Sequence, residues 1–446
     1  MIANIIFLIC LLAGVGFFSF SVSKIIRNIN LGKDEDLKDN PAERFRVMSL
    51  VALGQSKMFK RPIPAILHIT LYLGFIIINI EIIEIIIDGI FGTHRIFYPA
   101  LGEFYVFLIG GFEWLAILVI VACVIFLARR NILKLKRFRA REITRWPKTD
   151  ADIILVTEIM LMVAFLTWNA TDQVLQQRGI YPTVTASAFP ISNNITSWFS
   201  GMSDSGVLFT ERFAWWLHII GILLFLNYIP FSKHFHIILA FPNTYFTRLK
   251  PKAKFYNMQS VTHEVKLMLD PSTVTEQPAD EVPQEPERFG AKDIHDLSWK
   301  NLMDAYSCTE CGRCTDVCPA NQTGKLLSPR KIMMDTRDRM EEVGKGIDKN
   351  GKDFKDEKTL LHNYILPEEI WACTTCQACV EACPVNIDPL HIIVQIRRYM
   401  VMEENTAPSE LNMMFTKVEN NGAPWQFSPS DRFNWADDLT VEKLPE

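Results

Sequence analysis

The sequence predicts a mainly α-helical chain in two parts: a five-helix membrane bundle, then an α-helical module in water. Three observations predict it. Five long apolar runs fall before Phe241 and none after it. Eight of the ten cysteines fall between Cys308 and Cys383, in two copies of one pattern. A proline- and acid-rich stretch, too polar to bury a core, separates the two regions.

The runs come first in chain order. A helix needs about 20 apolar residues to cross a bilayer. Ile2–Ile26, Ile63–Ile87, Phe104–Ala128, Asp152–Ala170 and Phe213–Phe235 meet that length. The first run has no basic residue before it, and Lys24 and Arg27 follow it. That polarity is wrong for a cleaved signal peptide, so it reads as a retained anchor with an external N-terminus.

Loop charges agree. Arg27, Lys33, Lys38, Arg44, Arg46, Lys57, Lys60 and Arg61 crowd one loop. Arg129, Arg130, Lys134, Lys136, Arg137, Arg139, Arg141, Arg145 and Lys148 crowd another. The other two loops hold only Arg95, Arg178 and, at the very edge of the fifth span, Arg212. Basic loops stay in the cytoplasm, so five spans leave the C-terminal part there, in a multi-pass protein of the cytoplasmic membrane. The formal charge of −4 over 446 residues gives no reason to expect a nucleic-acid partner.

The cysteines carry the sharpest signal. Cys308-x-x-Cys311-x-x-Cys314-x-x-x-Cys318-Pro319 is repeated as Cys373-x-x-Cys376-x-x-Cys379-x-x-x-Cys383-Pro384. Soft thiolates at this spacing suit two [4Fe–4S] clusters in a ferredoxin-type domain. Zinc ribbons instead use two well-separated CxxC pairs. In two-cluster ferredoxins the fourth cysteine of each run reaches the other cube. The pairing is therefore Cys308, Cys311, Cys314 and Cys383 for one cluster, and Cys373, Cys376, Cys379 and Cys318 for the other. Such thiols need a reducing compartment, which agrees with the loop charges. Cys10 and Cys123 read as packing residues.

Histidines in the spans are costly and point to function. His68 lies near the cytoplasmic end of the second span. His218 lies in the outer half of the fifth, and His234 and His236 follow its break at Pro230. His68 and His236 sit at matching depth, as two axial ligands of one haem b would. Hydrogen bonding between helices is the alternative. Glu81, Glu84, Glu113 and Glu158 are the intramembrane acids. Glu113 and Glu158 are proton-relay candidates, against the alternative of protonated groups bonded to a neighbouring helix.

The middle and tail are plainer. Arg248, Lys250, Lys252 and Lys254 form a basic stretch after the last span. Pro271–Pro286 carries four prolines, with Glu276, Asp280, Glu281, Glu285 and Glu287 in or beside it. It reads as a linker. Asp293–Tyr306 and Ser328–Val343 read as helices, Gly344–Lys355 as a loop, and Pro389–Met402 as an amphipathic helix over the clusters. Gly344-Lys-Gly346 lacks the context of a phosphate cradle. The domains are then 1–250 in the membrane, 251–292 as linker, 293–404 around the clusters, and 405–446 as a partner-docking tail.

Two resemblances add to this reading. Pro230-Phe-Ser-Lys-His-Phe-His236 resembles the last helix of nitrate reductase gamma-type cytochromes b, five-helix proteins with an external N-terminus and two haems. The family's ligands fall here on His68, His218 and His236, and its fourth falls on Ile78. His94, in Phe91-Gly-Thr-His-Arg95, is the candidate for the missing ligand of a second haem. Otherwise His218 is left to hydrogen-bond a quinone. His234 matches no family ligand.

Trp371-Ala-Cys-Thr-Thr-Cys-Gln-Ala-Cys-Val-Glu-Ala-Cys-Pro-Val385, with Arg397 and Arg398, resembles the HdrC-type component of heterodisulfide reductases. That family implies a partner with cysteine-rich CCG domains. Asn420-Asn-Gly-Ala-Pro-Trp425 looks like the linker before such domains in fused homologues. The combination is similar to membrane oxidoreductases that link electron-transfer flavoprotein to menaquinone, and to sulfite-reduction-associated complexes. The implied function is an electron-transfer subunit, not catalytic alone, between a CCG-domain or flavoprotein partner and quinone. Two rivals are a quinol-oxidising subunit feeding a cytosolic disulfide or sulfur-compound reductase, and a membrane redox sensor.

Overall fold

The computed structural model describes residues 1–182, 188–251, 254–270 and 288–439. The proposed linker core, 271–286, and Lys252 lie outside the described residues. The described residues are helical, with only isolated bridges at Lys33–Ser298 and Leu361–Ile365.

Five helices are long and apolar enough to cross a membrane. They are α1 (Ile2–Ile29), α3 (Pro62–Phe91), α4 (Glu103–Asn131), α5 (Arg145–Gln177) and α6 (Asp204–Tyr228). A chain in lipid must satisfy its own backbone groups, and a continuous apolar helix does so. A short helix, α2 (Pro41–Met48), lies between the first two. Prolines in its first turn start α3, where an N–H is not needed, and Gly92 at φ 72 ends it.

The helices run past the apolar runs that mark them. Polar residues in the second half of α5, among them Asn169, Asp172 and Gln173, are buried, so that helix continues to Gln177. α6 begins with Ser203 capping the Gly206 N–H, well before Phe213, and stops ahead of Pro230. α5 packs along α6, α3 along α4, and α1 against both α3 and α6. Phe7, Ile109, Ala116, Phe165, Trp168 and Trp215 share the core between them. Gly89 admits the Phe7 ring to the α3 backbone; a Cβ there would meet it at 2.6 Å.

By contact clustering, Met1–Asn257 and Asp293–Ile393 form one compact unit. The membrane helices and both cysteine runs therefore share a body. Within it, α10 (Pro329–Asn350) packs against α9 (Trp299–Tyr306), which leads into the first cysteine run, and against the short helix Arg313–Asp316 inside that run, while α7 (His236–Tyr245) packs against α9. Lys33 N–H donates to Leu297 O at 2.7 Å and Trp299 N–H to Lys33 O at 3.0 Å. These bonds tie the loop after α1 to the start of α9. α10 runs on through Gly344-Lys-Gly346, where the glycines predict a loop. The reason is close packing: a Cβ on Gly344 would meet the Asn28 amide at 2.6 Å.

Met258–Lys292 and Val394–Glu446 form the second unit. It holds α8 (Gln259–Leu269), the part of α11 (Pro389–Met402) from Val394 onward, and α12 (Ser409–Asn421). Ala291 N–H donates to Gln395 O at 2.9 Å and Phe289 N–H to Glu403 at 2.7 Å.

Candidate functional site

The two cysteine runs fold alike. Glu310 and Gly312 have φ of 53° and 71°, and Thr375 and Gln377, at the same places in the second run, have 57° and 60°. These left-handed residues turn the backbone between cysteines, which costs strain at the three non-glycine positions. Each run then enters a short helix, Arg313–Asp316 or Ala378–Ala382. Cys318 N–H closes on Thr315 O at 3.2 Å, and Cys383 N–H on Val380 O at 3.3 Å. The proline after each fourth cysteine cannot continue the helix before it.

A recess is lined by Cys308, Cys311, Cys314 and Cys383, with Cys379 beside them. The first expected ligand set thus surrounds one space. The Cys379 thiol has Cys373 and Cys318 as charged neighbours, three members of the second set. Burial pushes the thiols up, Cys308 to about 11 and Cys383 to about 12, with the Glu310 carboxylate and Cys311 adding to it at Cys308 and Cys311 at Cys383. So many thiols can ionise together only against a cationic centre, and iron fits that donor set. Thr375 N–H points at Cys373 Sγ (3.4 Å) and Ile387 N–H at Cys383 Sγ (3.3 Å). Such bonds tune cluster potentials. Among the described residues, no three His, Cys, Asp or Glu side chains converge as ligands of a single ion do.

The rings of His68 and His236 are 6.2 Å apart, centroid to centroid, and inclined at 45°. Imidazoles bound on opposite sides of one metal, with bonds of about 2 Å, place their centroids about 6 Å apart. His68 Nδ1 donates to Gln55 Oε1 at 2.9 Å, and His236 Nδ1 to Lys233 O at 3.0 Å. Those bonds fix the tautomer that leaves Nε2 free to ligate. The pair fits a haem. Asp150 holds the loop that carries His236. It accepts from Tyr228 OH, from Ser232 Oγ at 2.7 Å and from Lys233 N at 3.1 Å. The His234 ring lies 5.6 Å from that of His236, nearly at right angles to it.

The remaining candidates are held differently. His218 Nδ1 donates to Leu161 O at 3.0 Å, and its ring packs on Phe165 at 5.9 Å. Its Nε2 is thus the free nitrogen. His94 Nε2 is engaged by Asp172 at 2.9 Å, and its ring lies on Tyr181 at 4.5 Å. Its Nδ1 is buried without a hydrogen-bond partner. Arg95, buried beside it, donates to Asp172 (2.9 Å) and Asn169 (2.8 Å). Glu113 accepts from Ile191 N, Ser192 N, Ser192 Oγ and Asn169 Nδ2. Glu84 accepts from Phe97 N and Tyr105 OH, while both Glu81 oxygens lack a hydrogen bond. Glu158 is half-buried on α5. A cavity reaches this region, with Phe7, Glu84, His94, Arg95, Arg212 and Trp215 in its wall.

The first cysteine run is bolted to the cytoplasmic-side ends of the membrane helices, as loop charge orients them. Lys233 Nζ donates to Glu310 Oε2, and Arg337 pairs with Glu310 at 2.9 Å. Arg313 donates to Lys57 O at 3.3 Å, and Arg61 pairs with Asp316. Arg330 joins Glu142 at 2.7 Å and Arg137 O at 2.8 Å. The second run is tied more lightly, by Lys60–Glu381 and by Asn243 to Val385 O at 2.9 Å. Of the eight cysteines, Cys376 alone is exposed. Sequence reasoning misses Gln55 and Asp150, which belong to no motif, and Lys233 and Glu310, which fill unassigned positions inside the Pro230–His236 and Cys308–Cys318 stretches. Nearness to Cys311 and to His236 is the one signal for Glu310 and Lys233; Gln55 and Asp150 show themselves only through contacts between distant segments.

Residues 303–387 match the 4Fe-4S dicluster domain family. The whole chain is 29% identical to the probable iron-sulfur-binding oxidoreductase FadF of Bacillus subtilis, over 62% of that protein. It is 28% identical to the EtfAB:quinone oxidoreductase of Syntrophomonas wolfei, with 98% of this chain aligned to 60% of that one. The chain thus spans about three-fifths of the length of these curated relatives. A shorter stretch, 35% of the chain, is 33% identical to the probable membrane-anchored ferredoxin of Chromohalobacter salexigens, over 26% of that protein. Matches of similar identity, over 22–23% of the chain, fall on heterodisulfide reductase components of Methanosarcina acetivorans and Methanosarcina mazei. No solved structure matches.

Proposed function

We propose that the chain is the membrane electron-transfer part of an oxidoreductase that works between a cytosolic CCG-domain or flavoprotein partner and the quinone pool. The observation that carries this is the junction at Lys233. Its backbone oxygen holds His236, and its ammonium holds Glu310, the residue before Cys311. Ligands for a haem and for a cluster are thus set by one side chain and its own peptide. When bound, two [4Fe–4S] clusters and haem b supply one-electron relays; spacing and tuning them is the protein's part.

Each set of residues has a place in that scheme. Cys308, Cys311, Cys314 and Cys383 hold the cluster beside the membrane helices. Cys373, Cys376, Cys379 and Cys318 hold the other, and exposed Cys376 marks the side that meets the soluble partner. His68 and His236 clamp the haem. His218, with Nε2 free, serves the quinone end, as ligand of a second haem or as acceptor for a quinol hydroxyl. Quinone reduction also takes protons. Glu113 and the acids around His94 and Arg95 are the buried groups available to move them, with half-buried Glu158 as a further candidate. The similarity to an oxidoreductase named for EtfAB and quinone supports this reading.

The test is the haem itself. Purified full-length chain should show a low-spin b-type spectrum, and His68→Ala or His236→Ala should each remove it. His218→Ala should halve the haem content if there are two haems and leave it unchanged if there is one. Unchanged haem content in His68→Ala would refute the cytochrome assignment.

A further inference from the structure

Arg137 poses a problem of its own. Its Nε and one terminal nitrogen are buried and have no hydrogen-bond partner. The group is half-buried and stacks on the Phe138 ring at 4.9 Å, but buried N–H donors without a partner are costly and a native chain rarely leaves them so. The short turn Lys136–Phe138 that carries it packs against Arg313–Asp316, the helix after Cys311. Arg61 and Arg313 are its charged neighbours, with Asp316 and Cys311. Three guanidinium groups therefore share a place with one carboxylate, which already pairs with Arg61, and with the Cys311 thiolate of the first cysteine run.

The place lies beside the histidine pair. Arg313 is the cationic neighbour of the His68 ring. It also donates to Lys57 O, two residues from the Gln55 that orients His68. Arg61 caps the start of α3, seven residues before His68. At about 1.5 Å of rise per residue, the Arg61 backbone stands about 10 Å from His68 along the helix axis. A group centred between His68 and His236 and bearing carboxylates at its rim would reach these arginines.

We infer that Arg61, Arg137 and Arg313 form a carboxylate-binding site that takes the two propionates of a haem ligated by His68 and His236. This deepens the proposed function and rests on it. Two propionates would bring the local carboxylates to three, against three guanidinium groups, and would satisfy Arg137. Guanidinium–carboxylate pairs are geometrically specific, so the site would also fix the haem's rotation about the His–His axis. An anionic lipid phosphate offers similar chemistry at this depth, and the test separates the two.

The experiment uses the full-length chain in detergent, depleted of haem and titrated with ferric protohaem or its dimethyl ester at the Soret band. Arg137→Leu should weaken protohaem binding about tenfold, the scale of one charged hydrogen bond. It should leave ester binding and cluster iron content unchanged, and Arg137→Lys should recover part of the loss. Equal loss for both haems would overturn the site. So would iron loss with haem affinity intact, which would mean that Arg137 serves the cluster. So would an Arg137→Leu effect that appears only in phosphatidylglycerol nanodiscs and not in phosphatidylcholine ones, the mark of a lipid phosphate. If the unaltered chain takes up no haem, the cytochrome reading falls first and this site with it.

Discussion

Lys233 and Glu310, 77 residues apart in sequence, meet through Nζ and Oε2 where the membrane helices end and the first cysteine run begins. Both are largely buried, and Arg337 closes on the other Glu310 oxygen. Burial pushes Glu310 up, but Arg337 and Lys233 more than offset it and hold the carboxyl below its usual range. Glu310→Gln should therefore destabilise the protein by about 1–3 kcal/mol at neutral pH, because it takes the shared carboxylate from two buried cations and leaves Lys233 with Pro147 O and Asp150 and Arg337 with Asp338. A depressed carboxylate stabilises fully above its unfolded value, about pH 4.3, and loses that stabilisation as pH falls through the folded value. Thermal melts of both proteins should differ most near neutrality and converge in acid.

Iron content should be about eight atoms per chain, as two four-iron clusters require. Cys311→Ser and Cys376→Ser should each convert or remove one cluster. Cys311→Ser should also loosen the junction with the membrane helices, whereas Cys376→Ser should leave it intact. Metal analysis and limited proteolysis would read both effects. Stoichiometric zinc, or about two iron atoms, would contradict the assignment.

Gln55→Leu removes the oxygen that orients His68 Nδ1. Loss of such an outer partner typically weakens metal binding about 10–100-fold, so haem should dissociate faster without being lost outright. His234→Ala should have little effect on haem retention, since its ring stands beside the pair and not across from His68. Haem transfer to apomyoglobin would measure both rates.

Orientation follows from loop charge. A cytoplasmic marker fused after Glu446 should be active, and one near Gly201 should behave as external. The reverse result would invert the chain and place the cysteines outside.

Much of this was legible because it is local in sequence. Apolar runs mark helices that must satisfy their own backbone. The cysteine spacing is a property of one loop, seen twice. What was not legible depends on distant pairings. Asp150 falls just ahead of the predicted span Asp152–Ala170 and looks like a boundary charge, yet it builds the loop that carries His236. Gly344-Lys-Gly346 looks like a break, yet it continues α10 because Asn28 comes close. His94 has the position of a spare ligand in sequence, while Asp172, 78 residues on, engages its Nε2.

The uneven exposure of the cysteines has a consequence in air. Cys376 stands open while Cys308, Cys318, Cys379 and Cys383 are buried. Dissolved oxygen and peroxide arrive through water and meet the second run first. Oxidative ageing should thus have a polarity. An aged molecule should stop exchanging electrons with a soluble donor while it still exchanges them with the membrane pool.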